Sequence, residues 1–133
     1  FGLFFTVASR PFGPSRLAVG EGSTILALTS KDLSWKNDDQ VGILPFSSAG
    51  VLAESDMDEE QDLHVAMLVP KGGGYEVWYI GQDEKKWGKA ELVVSLPADL
   101  EMRGFDIGVT DDYVFMAASQ GFDAKYFRKK HRK

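Results

Sequence analysis

Apolar residues in this chain come in short runs, never at helical spacing sustained over three turns, and turn-forming residues separate the runs. The runs are Leu3–Ala8, Arg16–Gly20, Thr24–Thr29, Val41–Leu44, Gly50–Ala53, Leu63–Val69, Tyr75–Ile80, Glu91–Leu96, Phe105–Val109, Tyr113–Ser119 and Phe122–Phe127. They are rich in β-branched and aromatic residues, which fit a pleated, half-buried surface. Between them stand Glu21-Gly22, Lys71-Gly72-Gly73-Gly74, Thr110-Asp111-Asp112 and Gln120-Gly121. These residues tolerate positive φ at little steric cost, as tight hairpins require. The expected class is all-β, built from antiparallel sheets.

Composition narrows the setting. A chain of 133 residues with 44% hydrophobic content is the size of one ordinary domain and is able to bury a core. No window reaches the roughly 18 consecutive apolar residues of a membrane-spanning helix, and the apolar opening Phe1–Ala8 lacks the basic start of a secretory signal. The absence of cysteine excludes disulfides and thiolate metal sites. It also fits a reducing compartment, so an intracellular, cytoplasmic or nuclear location is expected. Of the fifteen basic residues, five fall in Arg128–Lys133, leaving ten against twenty acidic residues elsewhere. The reading is one all-β segment, 1–127, followed by a basic tail, 128–133. An acidic body disfavours nucleic acid except through that tail.

Internal echoes point to a repeat. Val19-Gly20 followed by Thr24–Ser30 echoes Ile107-Gly108 followed by Tyr113–Ser119, and Leu63–Val69 fills the same hairpin position between them. Val41-Gly42-Ile43-Leu44-Pro45 echoes Val93-Val94-Ser95-Leu96-Pro97, and an aromatic recurs one strand after each hairpin start at Trp35, Trp78 and Tyr126. Units of roughly 16–46, 47–97 and 98–127 follow, the last without a fourth strand. On these residues the chain resembles a WD40-like β-propeller over about 16–127, best at Tyr75–Ile80 and Phe105–Ser119, although neither the Trp-Asp nor the Gly-His dipeptide is present. The resemblance implies four-stranded blades, a partial propeller that needs further blades from the same or another chain, and a non-catalytic scaffold for protein partners. Leu3–Ala8 would serve as a closing strand for a neighbouring blade. The alternative architecture is a self-contained β-sandwich or barrel. The alternative function is a carbohydrate-binding propeller, since Tyr75–Gly81 followed by Trp87-Gly88 resembles six-bladed fucose-binding lectins.

Candidate chemistry is sparse. Glu54–Asp62 is expected to be a solvated acidic loop projecting from a sheet end, with Glu54, Asp56, Asp58, Glu59 and Glu60 offered to a partner. Alternate carboxylates at Asp56, Asp58 and Glu60 resemble the start of a calcium loop, but Gln61 and Met67 stand where that loop needs Gly and a bidentate Glu. Arg128, Lys129 and Lys130 are the basic counterpart, in a tail expected to be free. Lys71–Gly74 lies between two strands and lacks the helix N-terminus of a phosphate cradle. His64 and His131 lie far apart with no ligand spacing to another His or Cys. No nucleophile motif is present, so neither a catalytic group nor a cofactor is expected. Trp78 and Ile80 are expected to be buried between sheets, with Glu76 near the outer edge.

Overall fold

The computed structural model describes residues 2–11, 13–31, 34–37, 40–98 and 102–131. Among them there is no helix, and so none long and apolar enough to cross a membrane. Thirteen strands form three antiparallel sheets. In sheet 1, β1 (Leu3–Ala8), β2 (Arg16–Glu21), β3 (Thr24–Lys31) and β4 (Ser34–Asn37) lie in sequence order, and β5 (Gly42–Ile43) also pairs with β3. Sheet 2 runs β6 (Leu52–Met57), β7 (Leu63–Lys71), β8 (Gly74–Asp83), β10 (Glu91–Leu96), with β9 (Lys86–Trp87) on β8. Sheet 3 contains β11 (Met102–Val109), β12 (Tyr113–Gln120) and β13 (Asp123–Lys130). No sheet closes on itself, which rules a barrel out for these strands.

The hairpin turns form where the sequence places them. Gly22, Gly72, Gly73 and Gly121 all take positive φ, between 58° and 81°. Strand faces follow the alternation of the pleat. In β1, Phe4, Thr6 and Ala8 point inward while Leu3, Phe5 and Val7 remain exposed. Sheet 2 is covered on both sides, so β7 is buried without interruption from Leu63 to Val69, as expected of a strand with no solvent face. Its odd-numbered residues Leu63, Val65, Met67 and Val69 pack with Phe4, Ala18 and Ile25 of sheet 1. Its even-numbered Ala66 and Leu68 pack with Tyr79 and Val77 against Ile107, Val114, Met116 and Ala118 of sheet 3.

Strand β1 pairs with β2 throughout, so Leu3–Ala8 is the first strand of sheet 1, not a strand lent to a neighbour. The edge strands β1, β6 and β11 lie beside one another, β6 touching both of the others. They begin at Leu3, Leu52 and Met102, spacings of 49 and 50 residues. Against this frame the hairpin echo slips by one strand. Leu63–Val69 and Tyr113–Ser119 are second strands, whereas Thr24–Thr29 is the third strand of its sheet.

Trp78 is also less enclosed than expected. It shares a face with Ile80 as the alternation requires, but only Ile80 is fully buried. The Trp78 ring lies half-buried against Phe46, 5.3 Å between centroids, and its Nε1 donates to Glu76 Oε1 at 3.1 Å. Trp35 and Tyr126 are exposed.

Candidate functional site

One end of the molecule gathers its titratable side chains. There the β6–β7 turn, the β8–β9 turn, the β11–β12 turn and the residue following β13 converge. The β6–β7 turn is the acidic segment, and it is neither solvated throughout nor projecting. Glu54–Met57 is strand, and Asp58 and Asp62 are 3% and 2% exposed. The turn is closed by Asp58 N–H donating to Asp62 O (3.1 Å) and Gln61 N–H donating to Asp58 O (3.0 Å).

Burying a carboxylate costs several kcal/mol unless its oxygens are satisfied. Asp58 Oδ1 accepts the backbone N–H groups of Glu60 (2.9 Å) and Asp62 (3.0 Å), an Asx-type arrangement. Its Oδ2 meets His64 Nε2 at 2.9 Å. Asp62 accepts the N–H groups of Glu84 (3.1 Å) and Lys85 (2.8 Å), with Lys85 Nζ at 3.3 Å. Those two amides belong to consecutive residues at positive φ, 51° and 65°, so the carboxylate helps hold a turn conformation that non-glycine residues rarely adopt. From the other side, Arg10 of the β1–β2 connection donates to Met57 O and Arg16 of β2 to Gln61 O.

His64 is the second residue of β7 and is 1% exposed. Its Nδ1 lies 2.7 Å from the Tyr79 hydroxyl. Tyr79 reaches it by lying along β8 over Gly81, the ladder partner of His64. A Cβ on Gly81 would fall 2.1 Å from the Tyr79 hydroxyl oxygen, so this contact requires glycine. Burial pushes the His64 pKa down, with help from His131, and outweighs its hydrogen bond to Asp58, which would raise it. Burial pushes Asp58 up, but its bond with His64 and the two backbone amides together outweigh this, and its pKa falls below the usual carboxylate range. Burial, with Glu91 and Asp58 nearby, raises Tyr79. A neutral His64 therefore donates Nε2–H to ionised Asp58 and accepts the Tyr79 proton at Nδ1. Both ring nitrogens are engaged, so the imidazole cannot activate a nucleophile without surrendering a partner.

His131 completes the cluster. Its ring centroid is 4.5 Å from that of His64, its backbone N–H donates to Asp112 O (2.9 Å), and its Nε2 lies 2.8 Å from Thr110 O. The basic tail is accordingly not free as far as it is described. Arg128, Lys129 and Lys130 are the last residues of β13. Arg128 lies over the Tyr113 ring at 4.8 Å, while Lys129 pairs with Glu91 at 3.0 Å and lies 5.9 Å from the Tyr79 ring centre. Lys130 is exposed opposite Tyr113.

The acidic candidates separate. Glu54, Glu59 and Glu60 are exposed. Asp56 is half-buried and joins sheets, its Oδ2 accepting Val109 N–H of β11 at 2.9 Å. Asp58 is interior, so it does not share a surface with the glutamates. Asp56 and Asp58 thus spend their oxygens in different places, and the calcium-loop pattern has no common centre. The His64–Asp58–Tyr79–His131 association escaped sequence reasoning because it depends on strand register and sheet stacking. The one local signal was Asp58 placed four residues before Asp62, the spacing of a carboxylate that folds back on its own turn.

No protein-family model matches this chain, and no curated protein is significantly similar to it.

Proposed function

We propose that this chain is a non-catalytic scaffold of the β-propeller type, whose outward sheet faces pack against further antiparallel sheets and whose loop ends contact a protein partner. The observation that carries this reading is the lateral alignment of β1, β6 and β11 at near-fifty-residue intervals, with each sheet extending away from that line. Propellers repeat a sheet around an axis in this way, edge strands innermost. A groove of about 530 Å³ follows the aligned strands, lined by Leu3, Phe5, Leu52, Glu54, Met102 and Phe105.

The outer faces support the same reading. Sheet 1 exposes Leu3 (62%), Phe5 (69%) and Val7 (53%) on the side away from sheet 2. Sheet 3 exposes Phe115 and Tyr126 beside Gly108 and Ala117. Each lies opposite the face that sheet 2 covers, and apolar area exposed in this way favours a partner. The occupant that fits is another sheet of the same kind, packed about 10 Å away as sheets in a stack are.

Sedimentation of the chain at low and high salt tests this. Association through apolar faces is expected to persist at high salt, and Phe5→Glu combined with Val7→Lys is expected to reduce it. A monomer at both salts, at tens of micromolar, would overturn the reading.

A further inference from the structure

We propose that Asp58, His64 and His131 form a binding site for a first-row divalent transition ion of the zinc class. The ion would have three protein ligands and a fourth position open to water at the exposed edge. The inference does not rest on the propeller reading, because all three residues come from this chain.

The donor set is the first argument. One carboxylate and two imidazoles suit zinc and its neighbours rather than calcium or magnesium, which prefer all-oxygen shells. One ligand atom from each of the three residues lies within 4.8 Å of the other two. His64 Nε2 and Asp58 Oδ2 are 2.9 Å apart, whereas two ligands of a tetrahedral zinc stand about 3.3 Å apart. Exchanging the hydrogen bond for the ion therefore opens that pair by only a few tenths of an ångström. His131 follows the last residue of β13, at the half-exposed rim.

Tautomers are the second argument. A carbonyl oxygen only accepts, so the 2.8 Å contact with Thr110 O places the His131 proton on Nε2 and leaves the lone pair on Nδ1. Metal-ligating histidines are held this way, the second nitrogen donating to a carbonyl or another outer group. His64 has the same provision. The Tyr79 hydroxyl 2.7 Å from Nδ1 donates in the metal-free state, but it equally accepts a proton from Nδ1–H, and that tautomer frees Nε2 for the ion. Asp58 is already ionised and aimed, because two backbone amides fix its other oxygen.

Charge is the third. The carboxylate cancels one of the two positive charges, and Asp62 stands close enough to act on His64. An ion here would join the β6–β7 turn of sheet 2 to the residue following sheet 3.

The test is calorimetric titration of the full, untagged chain with Zn²⁺, with Co²⁺ absorption as a report on coordination. One equivalent is expected to bind saturably, raise the melting temperature and leave on addition of a chelator. His131→Ala, at the rim, and His64→Gln are each expected to weaken binding at least tenfold and to abolish the tetrahedral cobalt band. Glu59→Gln with Glu60→Gln, on the exposed side of the turn, is expected to leave affinity unchanged. Absence of saturable binding at tens of micromolar, binding unaffected by His131→Ala, or binding lost only in the glutamate variant would each overturn the proposal.

Discussion

Replacing Asp58 by Ala, in the presence of a chelator, separates a structural carboxylate from a decorative one. Three donors converge on this side chain: the N–H groups of Glu60 and Asp62, and Nε2–H of His64. Each bond to a charged acceptor contributes about 1.5–3 kcal/mol net, and a buried donor left without a partner costs about 1–3 kcal/mol. The terms do not add, because the turn relaxes and water enters the vacated space. Removing one partner of a buried pair in comparable settings costs about 3–5 kcal/mol, and that is the loss expected for Asp58→Ala. It is a large share of the roughly 5–15 kcal/mol that holds an ordinary domain together.

Asp58→Asn distinguishes the cause. Its carbonyl oxygen still accepts both backbone amides, and its amide donates to His64 Nε2 once the imidazole adopts the Nδ1–H tautomer and donates to Tyr79. The expected loss is about 1–2 kcal/mol, mainly from the missing charge. Urea unfolding monitored by tryptophan fluorescence measures both variants on one scale. An Ala variant within about 1 kcal/mol of the parent, or an Asn variant as damaged as Ala, would refute the account of Asp58 as the organiser of the turn.

Acid should destabilise the metal-free protein in two stages. His64 binds its proton less readily folded than unfolded, so its contribution is complete above the ordinary value of 6.5 and is lost as pH falls from there toward its lower folded pKa. Asp58, also lowered, contributes above its ordinary 3.8 and is lost as pH falls further. Urea midpoints should therefore drop between neutral pH and about pH 5, and a flat profile there would contradict the burial argument. At Gly81, substitution by Ala places a Cβ 2.1 Å from the Tyr79 hydroxyl oxygen and should detach it from His64. Tyr79→Phe should then cost about 0.5–1.5 kcal/mol in the parent and almost nothing in the Gly81→Ala background. Equal costs in the two backgrounds would show that Gly81 does not serve that contact.

The strands, their faces and the glycine turns were legible because each depends on residues two or three apart. Alternation along Tyr75–Ile80 was enough to place Trp78 and Ile80 on one face, and Leu63–Val69 betrayed a strand covered on both sides by being apolar throughout. How deeply a residue lies on its face depends on what faces it. That is why Trp78 proved half-buried, beside Phe46 from the connection between sheets. The hairpins were legible but their places in the sheets were not, since hairpins resemble one another whichever pair of strands they join. Only the neighbourhood of β1, β6 and β11 fixes the frame.

The acidic segment failed for a more general reason. Composition predicts solvation of an average carboxylate, but whether a particular one is buried depends on the donors that reach it. For Asp58 these are amides of its own turn and a histidine at the start of the next strand. For Asp62 they come from the β8–β9 turn, more than twenty residues away. Sheet 2 is enclosed on both faces, and from Val65 to Val69 its central strand β7 carries only apolar side chains. The polar chemistry of the stack is displaced to the strand ends, where turns from neighbouring sheets meet and their backbone amides are available. Asp58, Asp62, His64 and His131 collect there for that reason. Loop ends of stacked sheets are thus where this architecture can hold a charge, an ion or a partner without disturbing its core.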